Sequence, residues 1–318
     1  EMSASLVGSE MCIRDRIRSK YGILLHITLY TLGGIFMERV ALITDTTADI
    51  PQEIVNKYNI YVLPFRIIYK DREYKDKIEI TSEEVYSGLK KEVPTSSMPA
   101  LQDMEDAYSK LEVEGYTHVI GITLSSGLSG IYNGLTLVSK NHPNIKSYIC
   151  DSKSISLGEG ALVEECAKLL ESGKSFEQVV NSIPSIQNRI HLFFVVDTLE
   201  YLIKGGRIGK VAGTIGTLLN LKPIISTDKE GNYYTYAKAR GKKQALSKVI
   251  EIAEQISKNK KCRAFVVDGN AKEDALKVKE SVEKLSNITS VYYGGCISPV
   301  SGVHSGPGLV GLVCIEEE

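Results

Sequence analysis

The sequence predicts an α/β protein of two domains, the N-terminal one built on a mainly parallel sheet and the C-terminal one on a mixed sheet. Three observations carry this expectation. From Met37 onward, short apolar runs rich in β-branched residues alternate with helical patterns, the order that strand–helix–strand units produce. A chain of 318 residues reaches the upper size for one hydrophobic core. A Gly-rich break at 205–216 separates two such series, which places the domains at 37–190 and 191–318.

The first series puts strands at 40–44, 60–68, 118–123, 145–150 and 191–196. Two helix starts between them are marked chemically. Thr81-x-x-Glu84 and Ser175-x-x-Gln178 have capping-box form, in which side chains satisfy the free N–H groups of a first turn; these helices should run to about residues 91 and 187. Further helical patterns cover 101–111 and 131–138. The second series gives strand 223–226, a turn at 228–232, strand 233–237 and helix 243–258. Strand 264–267, helix 273–285 and strands 291–293 and 309–314 follow.

With 38 Lys plus Arg against 39 Asp plus Glu, the net charge is −1. No basic excess exists for nucleic acid, so a phosphate-backbone binder is not expected. The six cysteines include no C-x-x-C pair and no zinc-finger spacing to histidine. Scattered thiols of this kind suit a reducing cytoplasm, with neither a disulfide framework nor a structural metal.

Residues 1–36 fit the rest poorly. Their basic stretch and apolar run copy a signal peptide superficially, but the run is too short to span a bilayer and contains His26. Met11-Cys12-Ile13-Arg14-Asp15-Arg16 reads as a translation of the transposon-end adaptor used in sequencing libraries. The expectation is a non-native extension, with Met37 the start.

Several enzyme signatures fail. Gly306-Pro-Gly308-Leu-Val-Gly311 matches the dinucleotide fingerprint in letters but opens no helix and lacks the downstream acid. Gly209-Lys210-Val211 is no phosphate-binding Walker loop. Gly127-Leu-Ser129-Gly130 is one residue short of a nucleophile elbow. No histidine pair has helical metal-binding spacing, so no metal site is expected.

Hydroxyl-rich loops at strand ends stand out instead. Thr123-Leu-Ser125-Ser126-Gly127-Leu-Ser129-Gly130 runs from a strand into a helix start, where free N–H groups and hydroxyls favour an anion; a capping serine explains it equally. Pro94-Thr95-Ser96-Ser97-Met98-Pro99 and Asp45-Thr46-Thr47-Ala48-Asp49 are two more. Ligands in open parallel sheets bind beyond the carboxyl ends of strands, so three such loops favour a shared polar pocket. In the second half, Lys204, Arg207 and His304 are either anion partners or ordinary loop and helix-end residues. Residue chemistry leaves both readings standing.

Taken in order, Ile43 to Asp49, Pro94 to Pro99, Leu124 to Gly130, Asp151-Ser152-Lys153, Thr198 to Gly209, Leu219-Asn220-Leu221-Lys222-Pro223 and His304 to Gly308 resemble the DegV family of bacterial fatty-acid-binding proteins. The resemblance covers the chain from Met37 to Cys314. It implies a tunnel holding one long-chain fatty acid with its polar end near the domain junction. By similarity Thr95, Ser126 and His304 would meet the carboxylate, and Ser125, Ser97, Arg207, Lys238 and Arg240 would support the site or dock a partner. That partner would be a separate ATP-binding kinase subunit that converts the presented carboxylate to an acyl phosphate for phospholipid synthesis. The carrier itself would be non-catalytic and need no cofactor, with transient contact to membrane surfaces. The competing reading is a serine hydrolase or acyltransferase using Ser126, for which only His304 offers a base.

Overall fold

The computed structural model describes residues 38–214 and 221–317; the expectations for residues 1–36 and for Leu219 and Asn220 lie outside them. Val40–Glu318 form one compact unit containing two α/β domains, each built around its own sheet. The first half runs β1 (Val40–Asp45), a 3-10 turn (Thr46–Ala48), α1 (Gln52–Tyr58), β2 (Tyr61–Leu63), β3 (Arg66–Ile68), β4 (Glu73–Lys75), α2 (Ser82–Gly88) and β5 (Thr95–Ser97). It continues through α3 (Leu101–Val113), β6 (His118–Thr123), α4 (Ile131–Ser139), β7 (Lys146–Asp151), α5 (Leu157–Glu171) and α6 (Phe176–Asn188). The second half comprises β8 (Ile190–Val195), α7 (Glu200–Lys204), a 3-10 turn (Gly209–Thr214), β9 (Leu221–Thr227), β10 (Tyr233–Arg240) and α8 (Gly241–Ser257). It ends with β11 (Cys262–Gly269), α9 (Lys272–Val282), β12 (Ile288–Cys296), α10 (Pro299–Ser305) and β13 (Leu309–Glu316).

The first sheet has the order β2-β1-β6-β7, all parallel. One face packs Leu42, Ile120 and Ile122 against Leu162 and Cys166 of α5 and Val179 and Ile183 of α6. The other packs Ile43 and Val119 against Tyr108 of α3, Leu135 of α4 and, from the far end of the chain, Val300 and Val303 of α10. Both capping boxes form as expected, at Thr81 with Glu84 and at Ser175 with Gln178.

The second sheet has the order β10-β9-β8-β13-β11-β12. It is antiparallel except for β11 with β12. The strand expected at 60–68 is two strands, β2 and β3, that belong to different sheets. Pro64 stands between them and has no N–H for a ladder, so the run breaks there. The hydroxyl loop at 94–99 contains β5, the edge of a small β4-β3-β5 sheet. His304 is not in a loop: Ser298 accepts from the Ser301 N–H, Pro299 opens the turn, and His304 lies in the last turn of α10. Helix α5 has no counterpart among the expected helices. Gly158 and Gly160 weaken its first turn as a local signal, yet a Cβ at Gly160 would strike the Ala48 carbonyl oxygen, so glycine is what lets α5 approach β1.

Candidate functional site

A cavity lies between the two halves. From the first half come Phe65, Ser96, the loop after β6 and Ser156; from the second come Leu192 and Phe194 of β8, Tyr233, Val267 and one side of α10. Most of this lining is apolar. Of its polar groups, Ser96, Arg207 and His304 meet where β5, the residues after α7 and the C-terminal turn of α10 come together, while Thr47, Ser129, Ser156 and Ser301 line it elsewhere.

His304 Nε2 is 2.7 Å from Ser96 Oγ, while its buried Nδ1 has no hydrogen-bond partner among the described residues. Burial, and then the nearby Arg207 charge, push its pKa down to about 4, so the imidazole is neutral at pH 7. Arg207 lines the same end. Among the described residues it donates to main-chain oxygens, Gly205 O at 2.6 Å and Leu128 O at 3.4 Å, leaving its charge without a carboxylate. A cation of this kind beside hydroxyls and a neutral imidazole is suited to a carboxylate or a similar anion.

The opposite, N-terminal end of α10 is held by an ionic and tightly connected frame. Asp49 accepts from Ser298 N at 2.8 Å and Ser156 Oγ at 2.6 Å and pairs with Lys77 Nζ at 2.7 Å. Asp76 accepts from Val300 N at 3.0 Å. Two carboxylates therefore serve the N-terminal N–H groups of α10 and fix the helix that carries His304. Asp49, Lys77 and Ser156 all have positive φ, 53°, 60° and 54°, an uncommon conformation for such residues that the surrounding bonds must hold.

Thr47, also on the cavity, leads to a second buried group. Its Oγ1 is 2.6 Å from Asp45 Oδ1 and 3.2 Å from Glu159 Oε2, and Thr44 Oγ1 donates to Glu159 at 3.1 Å. Burial raises both acids. Asp45 also receives the N–H groups of Leu124 and Thr47 at 2.9 Å, which suit the charged form. Glu159 faces that charge with hydroxyls alone, so Glu159 holds the proton.

The residues singled out from sequence fall in three places. His304 and Arg207 are at the polar end of the cavity. Thr95 is exposed, with Oγ1 3.4 Å from Ile68 O, and Ser97 is also exposed. Successive strand residues point to opposite faces, so on β5 it is Ser96 that turns inward. Ser125 is fully buried and donates to Gly231 O at 2.8 Å, bridging the halves. Ser126 is exposed, with its N–H on Asp151 Oδ1 at 3.1 Å and its hydroxyl 3.3 Å from Lys153 Nζ. Lys238 and Arg240 are exposed on the edge strand β10, away from the cavity lining. Ser96 was legible only through strand period, and Glu159 through no local signal.

No group of His, Cys, Asp and Glu side chains among the described residues would hold a metal ion. No helix among them is long and apolar enough to cross a membrane.

Comparison with known proteins adds the lineage. The sequence model of the DegV family, described as uncharacterised proteins, matches residues 39–317. A DegV domain-containing protein of Clostridium acetobutylicum is 64% identical over 281 residues, 88% of this chain and all of that one. Among solved structures, a fatty-acid-binding DegV family protein of Thermus thermophilus superposes with a TM-score of 0.83 at 29% identity, covering 88% of this chain and 100% of that one. A stearic-acid-binding protein of Eubacterium ventriosum gives a TM-score of 0.79 at 26% identity, covering 88% and 98%.

Proposed function

The chain belongs to the DegV family, and on that premise we propose that it binds one long-chain fatty acid in the cavity and presents the carboxylate to a separate ATP-dependent kinase subunit. The observation that carries the reading is an apolar chamber ending in an unpaired Arg207, a neutral His304 and the Ser96 hydroxyl. Each buried methylene contributes ~0.8 kcal/mol, so a chain of about fifteen carbons offers roughly 12 kcal/mol before ordering costs. Affinity therefore resides in the acyl chain. The head group is costly to desolvate unless hydrogen-bonded, and the polar cluster fixes its position. Thr95 and Ser126, exposed near the same loops, enter as groups that meet the head when it is turned toward the partner. Lys238 and Arg240 enter as a docking edge.

A non-catalytic role agrees with the site chemistry. Ser96 and His304 form a Ser–His contact, but the other ring nitrogen has, among the described residues, none of the orienting partners that a catalytic base requires. A pKa near 4 also makes the imidazole a weak base at neutral pH. Ser126 has a lysine rather than this histidine at its hydroxyl.

The test is native mass spectrometry of the purified chain, organic extraction, and incubation of the loaded protein with a purified family kinase and ATP. The expected result is one co-purifying C14 to C18 acid per chain and ATP-dependent acyl phosphate. Protein that stays empty when offered fatty acid sinks the binding step; loaded protein that no kinase phosphorylates sinks only the presentation step. Stoichiometric labelling of Ser126 by a fluorophosphonate would favour the hydrolase instead.

A further inference from the structure

We propose that Val267, backed by Leu157, is the end wall of the cavity and sets the longest acyl chain it admits; this rests on the fatty-acid reading above. The chamber follows α10. His304 stands at the C-terminal end of that helix and Ile297 just before its start, and both line the chamber. Five residues of helical rise, about 7.5 Å, lie between Pro299 and His304, and Ile297 lies two residues before Pro299. Ile297 N donates to Asp268 O at 2.8 Å, which brings the end remote from the polar group against β11.

There the boundary is two side chains packed over glycines. Val267 and Gly311 line the chamber. A Cβ at Gly311 would lie 2.8 Å from Val267 Cγ2, and one at Gly294 would lie 3.1 Å from Val267 Cγ1 and 2.5 Å from Leu157 Cδ1. Val267 and Leu157 thus meet above Gly294 on β12. Beyond Leu157 is a second pocket, bounded also by Ile54, Ala161, Phe265 and Tyr292 and by the charged Glu53, Glu164 and Arg263. Leu157 is 3% exposed, so it is an internal partition rather than a mouth. The Val267 and Leu157 side chains separate the acyl chamber from this space, whose near wall at Leu157, Ala161 and Phe265 is apolar.

Leu157 is the first residue of α5, where shortening it to alanine keeps a good helix former. The experiment measures competition binding of saturated acids from C12 to C22 to delipidated protein. In the wild type, affinity should rise with length and then stop at a break. In Leu157→Ala the break should move at least two carbons longer, with about fourfold tighter binding for each methylene newly buried. In Leu157→Ala/Ala161→Leu the new space is refilled from the next turn of α5, and the break should return. Val267→Ala opens the same wall from β11 and should shift the break in the same direction, which answers the question if Leu157→Ala does not fold. Folded variants with an unmoved break overturn the wall. A wild-type chain that binds none of the series overturns the fatty-acid reading and the wall with it.

Discussion

Along β13, Val310, Leu312 and Cys314 enter a core shared with Val249 and Ile252 of α8 and Val278 of α9. Leu309, Val313 and Ile315 face the other way, toward Leu192, Phe194 and Leu157, with Gly311 on the cavity itself. The same alternation runs through β8, where Phe193 and Val195 belong to the first side and Leu192 and Phe194 to the second. One face of the sheet is closed by helices from its own half. The opposite face is covered partly by α5 of the other half and by Leu202, Val211 and Ile297, and partly borders the cavity. Period-two strands make this division, so a single sheet carries a scaffold on one side and a binding surface on the other. Dense packing is the rule for interiors, and the apolar cavity on this face departs from it.

The comparison is broken or sharpened first on the packed face. Leu312→Ala removes a fully buried side chain and should lower unfolding free energy by about 3 kcal/mol, equally with and without fatty acid in denaturant titrations. A loss that disappears on adding fatty acid would put Leu312 on the wrong side of this division. Fatty acid at 100 times its Kd should stabilise the wild type by ~2.7 kcal/mol. Leu192→Ala, on the chamber, should shrink that increment, whereas Leu312→Ala should leave it intact; equal increments would erase the distinction between the faces.

His304 supplies the next effect. Its folded pKa of about 4 lies below the usual 6.5, so the unfolded chain takes up the proton first as pH falls. This contribution is fully present above about pH 6.5 and is lost toward pH 4. Between pH 7 and pH 5 the wild type should lose about 2 kcal/mol more than His304→Gln, and parallel stability curves would contradict the assignment. The smallest effect is Thr81→Ala, which deletes the capping box of α2. It should cost about 1 kcal/mol and leave the fatty-acid increment unchanged in calorimetry.

Much of the fold was legible in the residues because its signals are local. The strand at 118–123 and both capping boxes depend on neighbours within four positions, and they stand where the sequence put them. What escaped depends on contacts made elsewhere. Helix α5 follows an N-cap, Ser156, with positive φ and carries Gly160, which the approach to the Ala48 carbonyl explains, and Gly158, where a Cβ would strike Ser154. Glu159 meets Thr44 across 115 positions, a partnership no pattern of spacing announces. At the site, His304 and Arg207 were marked by their types, but the choice between Thr95 and Ser96 turned on which way a three-residue strand faces.

The position of β13 in its sheet bears on synthesis. It lies between β8 and β11, bonded to both, so every nascent chain that has not yet passed residue 309 carries two open strand edges and no continuous sheet. Unpaired edges of this kind are templates for aggregation. The chamber, which needs Leu309 and Gly311, is thus assembled only after those residues have been made, and a fragment stalled before them has no closed chamber.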